Sequence, residues 1–135
     1  MKAKPKIIKF KSFKDITGQL IPFYSNKHFP KNFVFKRIFF LYGKKKYLRA
    51  DHAHKKCTQI IIPILGKIKV TTYNNNRKKI FNLSPSNKKA LLVPVFTWLN
   101  IKFFKDNDCL LTICNYKYDK KEYISNFNDF LKTYY

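Results

Sequence analysis

The sequence predicts a mainly β fold of the sandwich or barrel type, closed by one short helix at the C-terminal end. Three observations predict it. Short stretches rich in β-branched and aromatic residues recur along the chain, turn-forming residues separate them, and helical periodicity appears only after residue 119. The 135 residues form one expected domain, 1–135, long enough to bury a core with 45% apolar side chains.

Taken in order, residues 7–10, 19–24 and 33–42 read as strands, and Gly43-Lys44-Lys45-Lys46 reads as an exposed loop. Strands at 58–65 and 67–73 meet at Gly66, and Asn74-Asn75-Asn76 turns the chain into a strand at 79–83. Gly and Asn tolerate the positive φ that tight hairpins need. Residues 90–95, 100–104 and 110–116 complete the β pattern. Residues 120–134 place Tyr123, Phe127, Phe130 and Leu131 three and four apart, the spacing of an amphipathic helix that packs on the barrel.

The formal net charge of +22 invites a polyanion-binding reading. No helix-turn-helix, RNA-recognition or zinc-finger signature accompanies it, and the lysines are spread along the whole chain as on a solvated surface. The expectation is therefore no nucleic-acid partner. No apolar run approaches the twenty residues of a membrane span, and the N-terminus lacks a signal-peptide core. Cys57, Cys109 and Cys114 are odd in number and lack metal-like spacing, as in a reducing compartment, so a cytoplasmic protein is expected.

The most informative segment is residues 52–66. His52 and His54 sit two apart beside the apolar run Gln59-Ile60-Ile61-Ile62-Pro63-Ile64-Leu65, so both imidazoles project from one strand face, roughly 6.5 Å apart at their bases. Two groups that titrate near neutrality then share a pocket. The spacing resembles the first cupin motif, His-x-His-x(4)-Glu-x(6)-Gly, with Gln59 in the Glu position and Gly66 in place. A neutral amide is a poor ligand for a divalent ion. In the second cupin motif, Leu99 stands where the last histidine ligand belongs. With two of four ligands missing, no metal is expected, and the histidine pair is free for acid-base chemistry.

The wider pattern resembles the sugar 3,4-ketoisomerases that act on dTDP-4-keto-6-deoxyglucose. Asp15-Ile16-Thr17-Gly18-Gln19-Leu20 is similar to that family's N-terminal turn, and Lys36-Arg37-Ile38-Phe39-Phe40-Leu41-Tyr42 to its Lys-Arg-Val-Tyr-Tyr-Ile strand. Arg49-Ala50-Asp51-His52-Ala53-His54-Lys55-Lys56 resembles its Arg-Gly-x-His-Ala-His-Lys-Lys. Pro94 with Trp98, and Tyr118-Asp119-Lys120-Lys121-Glu122-Tyr123-Ile124, resemble further segments. The resemblance implies a cupin, or jelly-roll, double-stranded β-barrel. It implies movement of a sugar carbonyl from C4 to C3 ahead of 3-amino-3,6-dideoxyhexose formation, without metal or redox cofactor. It also implies a homodimer with exchanged N-terminal strands. A dTDP-sugar 3,5-epimerase and a non-catalytic sugar-nucleotide-binding cupin are the alternatives.

The implied chemistry makes His52 the acid-base at carbon and His54 the group that shuttles protons between oxygens, although the order can be reversed. Arg49 and Arg37 are the candidates for the diphosphate because a guanidinium can hold two oxygens at once. Lys55 can add charge, and Tyr42, Phe39 or Trp98 can supply an aromatic wall for thymine. Gln59 is a candidate donor to enediolate charge. On one regular strand it would face away from His54, so it joins the pocket only if a bulge falls between Lys55 and Thr58. Thr17 and Leu99 occupy positions that vary with product stereochemistry, and neither residue indicates a gluco or a galacto product.

Overall fold

The computed structural model describes residues 3–134, and its strands follow the predicted β pattern with several local differences, among them an unpredicted strand at 13–15 and a strand that starts at Arg37 rather than at residue 33. In chain order the strands are β1 (Lys6–Lys9), β2 (Phe13–Asp15) and β3 (Gly18–Leu20), then a one-turn helix α1 (Ser25–His28). They continue as β4 (Arg37–Tyr42), β5 (Leu48–His54), β6 (Gln59–Leu65), β7 (Ile68–Asn74) and β8 (Arg77–Leu83). After these come β9 (Lys89–Val93), β10 (Trp98–Phe103), β11 (Cys109–Cys114), the two-residue β12 (Tyr123–Ile124) and helix α2 (Phe127–Tyr134).

Two antiparallel five-stranded sheets face each other, ordered β1-β9-β6-β11-β4 and β12-β5-β10-β7-β8, and β2 pairs with β3 in a separate hairpin. This is the expected jelly-roll barrel with a short C-terminal helix. Alternate side chains point inward, and the inner rows are graded in polarity. At one end Phe103, Ile68, Leu83 and Leu110 are fully buried in a single apolar cluster. Gly43 closes that end against the Phe103 ring, where a Cβ would lie 1.9 Å from a ring carbon, so no larger residue fits. At the other end the inward positions hold His52, Thr72, Gln59, Arg37 and Cys114. The barrel therefore has a dry closed end and a polar open end.

Of the others, the first lies in residues 48–54, which form a seven-residue strand with little apolar content to announce it. The second is the helix, which starts at Phe127 rather than at residue 120. Residues 120–122 make a 3-10 turn capped by Asp119, whose side chain accepts from the Lys121 amide, and Tyr123 and Ile124 then pair with His54 and Ala53 of β5. Phe130 is buried beneath α2 against Trp98, Ala53 and Ile124, as an amphipathic packing helix requires. Third, residues 21–24 leave the strand pattern and lead into α1. Among the described residues no helix is long and apolar enough to cross a membrane.

Candidate active site

Strand β5 carries the site because its backbone is irregular at one point. Ala50 and Asp51 both adopt positive φ, 66° and 56°, and the pairing with β10 jumps from Asn100↔Ala50 to Leu99↔His52. Asp51 is thus an extra residue, a bulge. On a regular strand Arg49 and His52, three apart, would face opposite sides. The bulge brings both onto the wall of one inter-sheet cavity of about 320 Å³. Left-handed backbone at two successive non-glycine residues costs on the order of 1–2 kcal/mol each, so the surrounding sheet must hold it in place.

The cavity is walled by Arg49, Ala50, His52, Leu99 and Ile101 from one sheet, by Phe39, Leu41, Gln59, Ile61 and Thr112 from the other, and by Tyr123. Its volume is at the lower end of the range for small-molecule sites, roughly 300–1,000 Å³. A roomier groove at the closed end, bordered by Lys67, Ile68, Asn82 and Phe104, is lined by no histidine, cysteine or carboxylate. The acid-base groups belong to the smaller cavity.

Gln59 reaches the cavity by a route different from the one expected. The histidines and the apolar run are not one strand. Residues 55–58 cross from one sheet to the other, so Gln59 opens β6 on the facing sheet and points inward, with its amide nitrogen 3.9 Å from Cys114 Sγ. Its count from His54 along the chain has no bearing on its face.

The two imidazoles lie together, ring centroids 4.7 Å apart and nearly perpendicular. His52 lines the cavity, whereas His54 lies behind it, 4% exposed. Nδ1 of His54 is hydrogen-bonded to Glu122 Oε2, while Nε2 is buried without a partner. Glu122, 2% exposed, accepts through its other oxygen from the backbone amides of Lys56 and Cys57 at 3.0 and 3.1 Å. The crossing 55–58 is therefore fastened to the carboxylate that orients His54. A carboxylate on Nδ1–H fixes the tautomer with the lone pair on Nε2.

Tyr123 completes the cluster. Its ring centroid is 4.9 Å from His52 and 4.3 Å from His54, and its phenol interacts electrostatically with the Arg37 guanidinium. Arg37 also lies against Phe39 and Tyr118 and donates to Cys114 Sγ at 3.8 Å. It stands behind Tyr123 rather than in the cavity wall. Burial lowers the pKa of His52 to about 4, assisted by the neighbouring His54. Burial likewise lowers that of His54, with Glu122 pulling the other way. Burial raises the pKa of the Tyr123 phenol, with Arg37 opposing. Both rings are therefore neutral at pH 7.

Besides Arg37, three predicted site residues lie outside the cavity wall. Tyr42 is on the outer face of β4, 64% exposed, because even-numbered residues of that strand point away from the barrel. Trp98 points outward from β10 and is packed beneath α2 against Phe127 and Phe130, so it offers no wall to the cavity. Lys55 is exposed and donates to the Lys121 carbonyl at 3.3 Å. In the other direction, sequence reasoning assigned Tyr123 to a helix face and gave Glu122 no role. The only signal was their place in the segment 118–124.

The chain is similar to known proteins along nearly its whole length. Residues 3–134 match the family described as FdtA: WxcM-like, C-terminal. A curated relative, TDP-4-oxo-6-deoxy-alpha-D-glucose-3,4-oxoisomerase of Aneurinibacillus thermoaerophilus, is 28% identical over 128 residues, 94% of this chain and 90% of that protein. The crystal structure of a 3,4-ketoisomerase from Helicobacter canadensis superposes with a TM-score of 0.85 at 27% identity, covering 96% of each chain. A histidine-to-asparagine variant of the 3,4-ketoisomerase QdtA from Thermoanaerobacterium thermosaccharolyticum, in complex with TDP-4-keto-6-deoxyglucose, does so with 0.87 at 26% identity, covering 98% of this chain and 95% of that one. With all but the first two and the last residue inside the matched region, the chain belongs to the FdtA family.

Proposed function

We propose that this chain moves the carbonyl of a dTDP-linked 4-keto-6-deoxyhexose from C4 to C3, with His52 as the group that takes the proton from C3 and returns one to C4. The chain is a sugar-nucleotide 3,4-ketoisomerase. The observation that carries the reading is the buried His52–His54–Glu122 array at the wall of a cavity whose far end is sealed with apolar side chains. Removing the C3 proton forms an enediolate, the C3 hydroxyl proton passes to the C4 oxygen, and the first ring, now protonated, is the acid that delivers hydrogen to C4. Glu122 holds His54 in one tautomer against His52. Arg49, at the cavity wall, faces the diphosphate. The curated relative's name gives the same substrate class.

Deuterated water separates this reading from its rivals. Incubation with dTDP-4-keto-6-deoxyglucose, followed by NMR, places deuterium at C4 of a 3-keto product. Exchange at C5 instead identifies a 3,5-epimerase, and an unchanged spectrum identifies a binding protein; either result excludes the isomerisation.

The pH dependence follows from the buried rings. His52 stays neutral down to about pH 4, against 6.5 for a free histidine. The acid limb of kcat/KM, which reports the free enzyme, is expected well below pH 6. The bound diphosphate brings negative charge and raises the ring's pKa, so the acid limb of kcat lies at higher pH. Coincident limbs near pH 6.5 would contradict this account. Stability has the same sign. Because the unfolded state binds protons that the folded rings refuse, stability declines as pH falls from 6.5 toward 4.

The expected homodimer draws support from the outer face of the β1-to-β4 sheet, where Ile38, Phe40 and Tyr42 are 45%, 57% and 64% exposed. A contiguous apolar strip on a sheet face marks an interface. β1 pairs with β9 of its own chain, so exchange between copies falls to the β2–β3 hairpin, whose Phe13, Ile16 and Leu20 are exposed. Sedimentation equilibrium should give twice the mass of the 16.2 kDa chain, and a monomer at micromolar concentration would rule the dimer out. Three free cysteines accord with a cytoplasmic location.

A further inference from the structure

The shape of the cavity depends on where the β5 bulge falls, and that bulge is strained. Ala50 and Asp51 are both left-handed without being glycine, so the strand gains by returning to regular pairing unless something outside the cavity opposes it. Pairing of His54 and Ala53 with Tyr123 and Ile124 pins the C-terminal end of β5. A slip would therefore fall on Arg49, turning it to the outer face while His52 stays inside.

On that outer face the side chain of Asn100, in β10, meets two acceptors, Asp51 Oδ1 at 2.9 Å and the Leu99 carbonyl at 3.2 Å, so its amide nitrogen is the end that lies against them. The pairing of β5 with β10 jumps between Leu99 and Asn100, and the Asn100 side chain spans the extra residue at that point. Its backbone is held on both sides, by Ala50 of β5 and by Thr71 of β7. Resting on the ketoisomerase reading, we propose that Asn100 is a positioning residue: by donating to Asp51 it holds the β5 bulge in register and keeps Arg49 turned toward the substrate's diphosphate. Asn100 and Asp51 border an outer groove with Thr71, Lys78 and Phe127, and neither is on the cavity wall. They act through Arg49 rather than on the sugar nucleotide. A hydrogen bond to a carboxylate is among the stronger kinds, but Asp51 is exposed to water, so loss of the bond should shift the register equilibrium by about tenfold rather than unfold the strand. Substrate then binds the fraction that still presents Arg49 and draws the remainder back, which raises KM and spares kcat.

Asn100→Leu, similar in size and unable to donate, should raise KM for dTDP-4-keto-6-deoxyglucose about tenfold and the Kd for dTDP alone in parallel, with kcat within about threefold of wild type. Adding Ala50→Gly removes the penalty of left-handed backbone at that position and should bring KM back to within about threefold of wild type, a rescue that a role in packing alone would not show. In an Arg49→Met background Asn100→Leu should change KM less than about twofold, because the group it positions is gone. An unchanged KM in Asn100→Leu, no rescue by Ala50→Gly, or a full effect in the absence of Arg49 overturns the assignment and leaves the isomerase reading standing. Absence of turnover in the wild type overturns both. If Asn100→Leu does not fold, Asp51→Ala removes the acceptor instead of the donor and carries the same expectations, and an unchanged KM there overturns the role.

Discussion

His52→Asn should abolish measurable isomerisation while leaving the barrel folded. A positioned general base contributes about 10²–10⁴-fold, and here one ring serves both as base at C3 and as acid at C4, so its loss should reach the upper part of that range. Asparagine is close in size, and His52 lies on the cavity wall rather than in the main apolar cluster, so the melting temperature should hold within a few degrees. C3 deuterium incorporation measured by NMR reads the first step directly. Retention of more than a tenth of wild-type exchange would show that another group removes the proton. His54→Asn should lose less than His52→Asn, because its ring acts through its contacts with His52 and Tyr123 and not at the cavity wall.

Glu122→Gln is the second large expectation, and it separates orientation from folding. The side-chain oxygen of glutamine can still accept from the Lys56 and Cys57 amides, so the 55–58 crossing keeps its fastening. The nitrogen, however, now faces His54 Nδ1 and can only donate, which forces the imidazole into the opposite tautomer. Turnover should fall by about 10²–10³-fold with little change in stability, comparable in kind to the large losses seen when the aspartate of a Ser-His-Asp triad becomes an amide. Glu122→Ala differs: it leaves two backbone amides and one ring N–H buried and unpaired, each costing about 1–3 kcal/mol, and should destabilise the protein markedly. Measuring kcat and melting temperature for both variants distinguishes the two roles. A Glu122→Gln variant with full activity would exclude tautomer control.

Much of the barrel was legible because β-branched and aromatic runs between Gly and Asn turns have a direct physical meaning, and the segment from Gln59 to Leu83 shows it. The β5 strand was not legible in the same way. Leu48-Arg49-Ala50-Asp51-His52-Ala53-His54 is too polar and too small in side chain to display strand alternation, and its bulge depends on pairing with β10. His52, Arg49 and Gln59 were legible as residue types from their motif. Their convergence was not, since Gln59 arrives from the opposite sheet. Glu122 and Tyr123 were hidden by helical spacing in 120–134: Tyr123, Phe127, Phe130 and Leu131 recur at three and four, yet pairing of Tyr123 with His54 overrides that propensity. Trp98 and Tyr42 illustrate the converse error, aromatic residues whose strand parity turns them outward.

The graded interior has a practical corollary for altering this protein. Because the apolar plug around Phe103 and Leu110 and the proton-handling residues occupy opposite poles, substitutions at the two poles should act on melting and on turnover almost independently. A designer can thus strengthen the plug first, and then spend that reserve on rewriting Thr112 on the cavity wall to admit a differently substituted hexose.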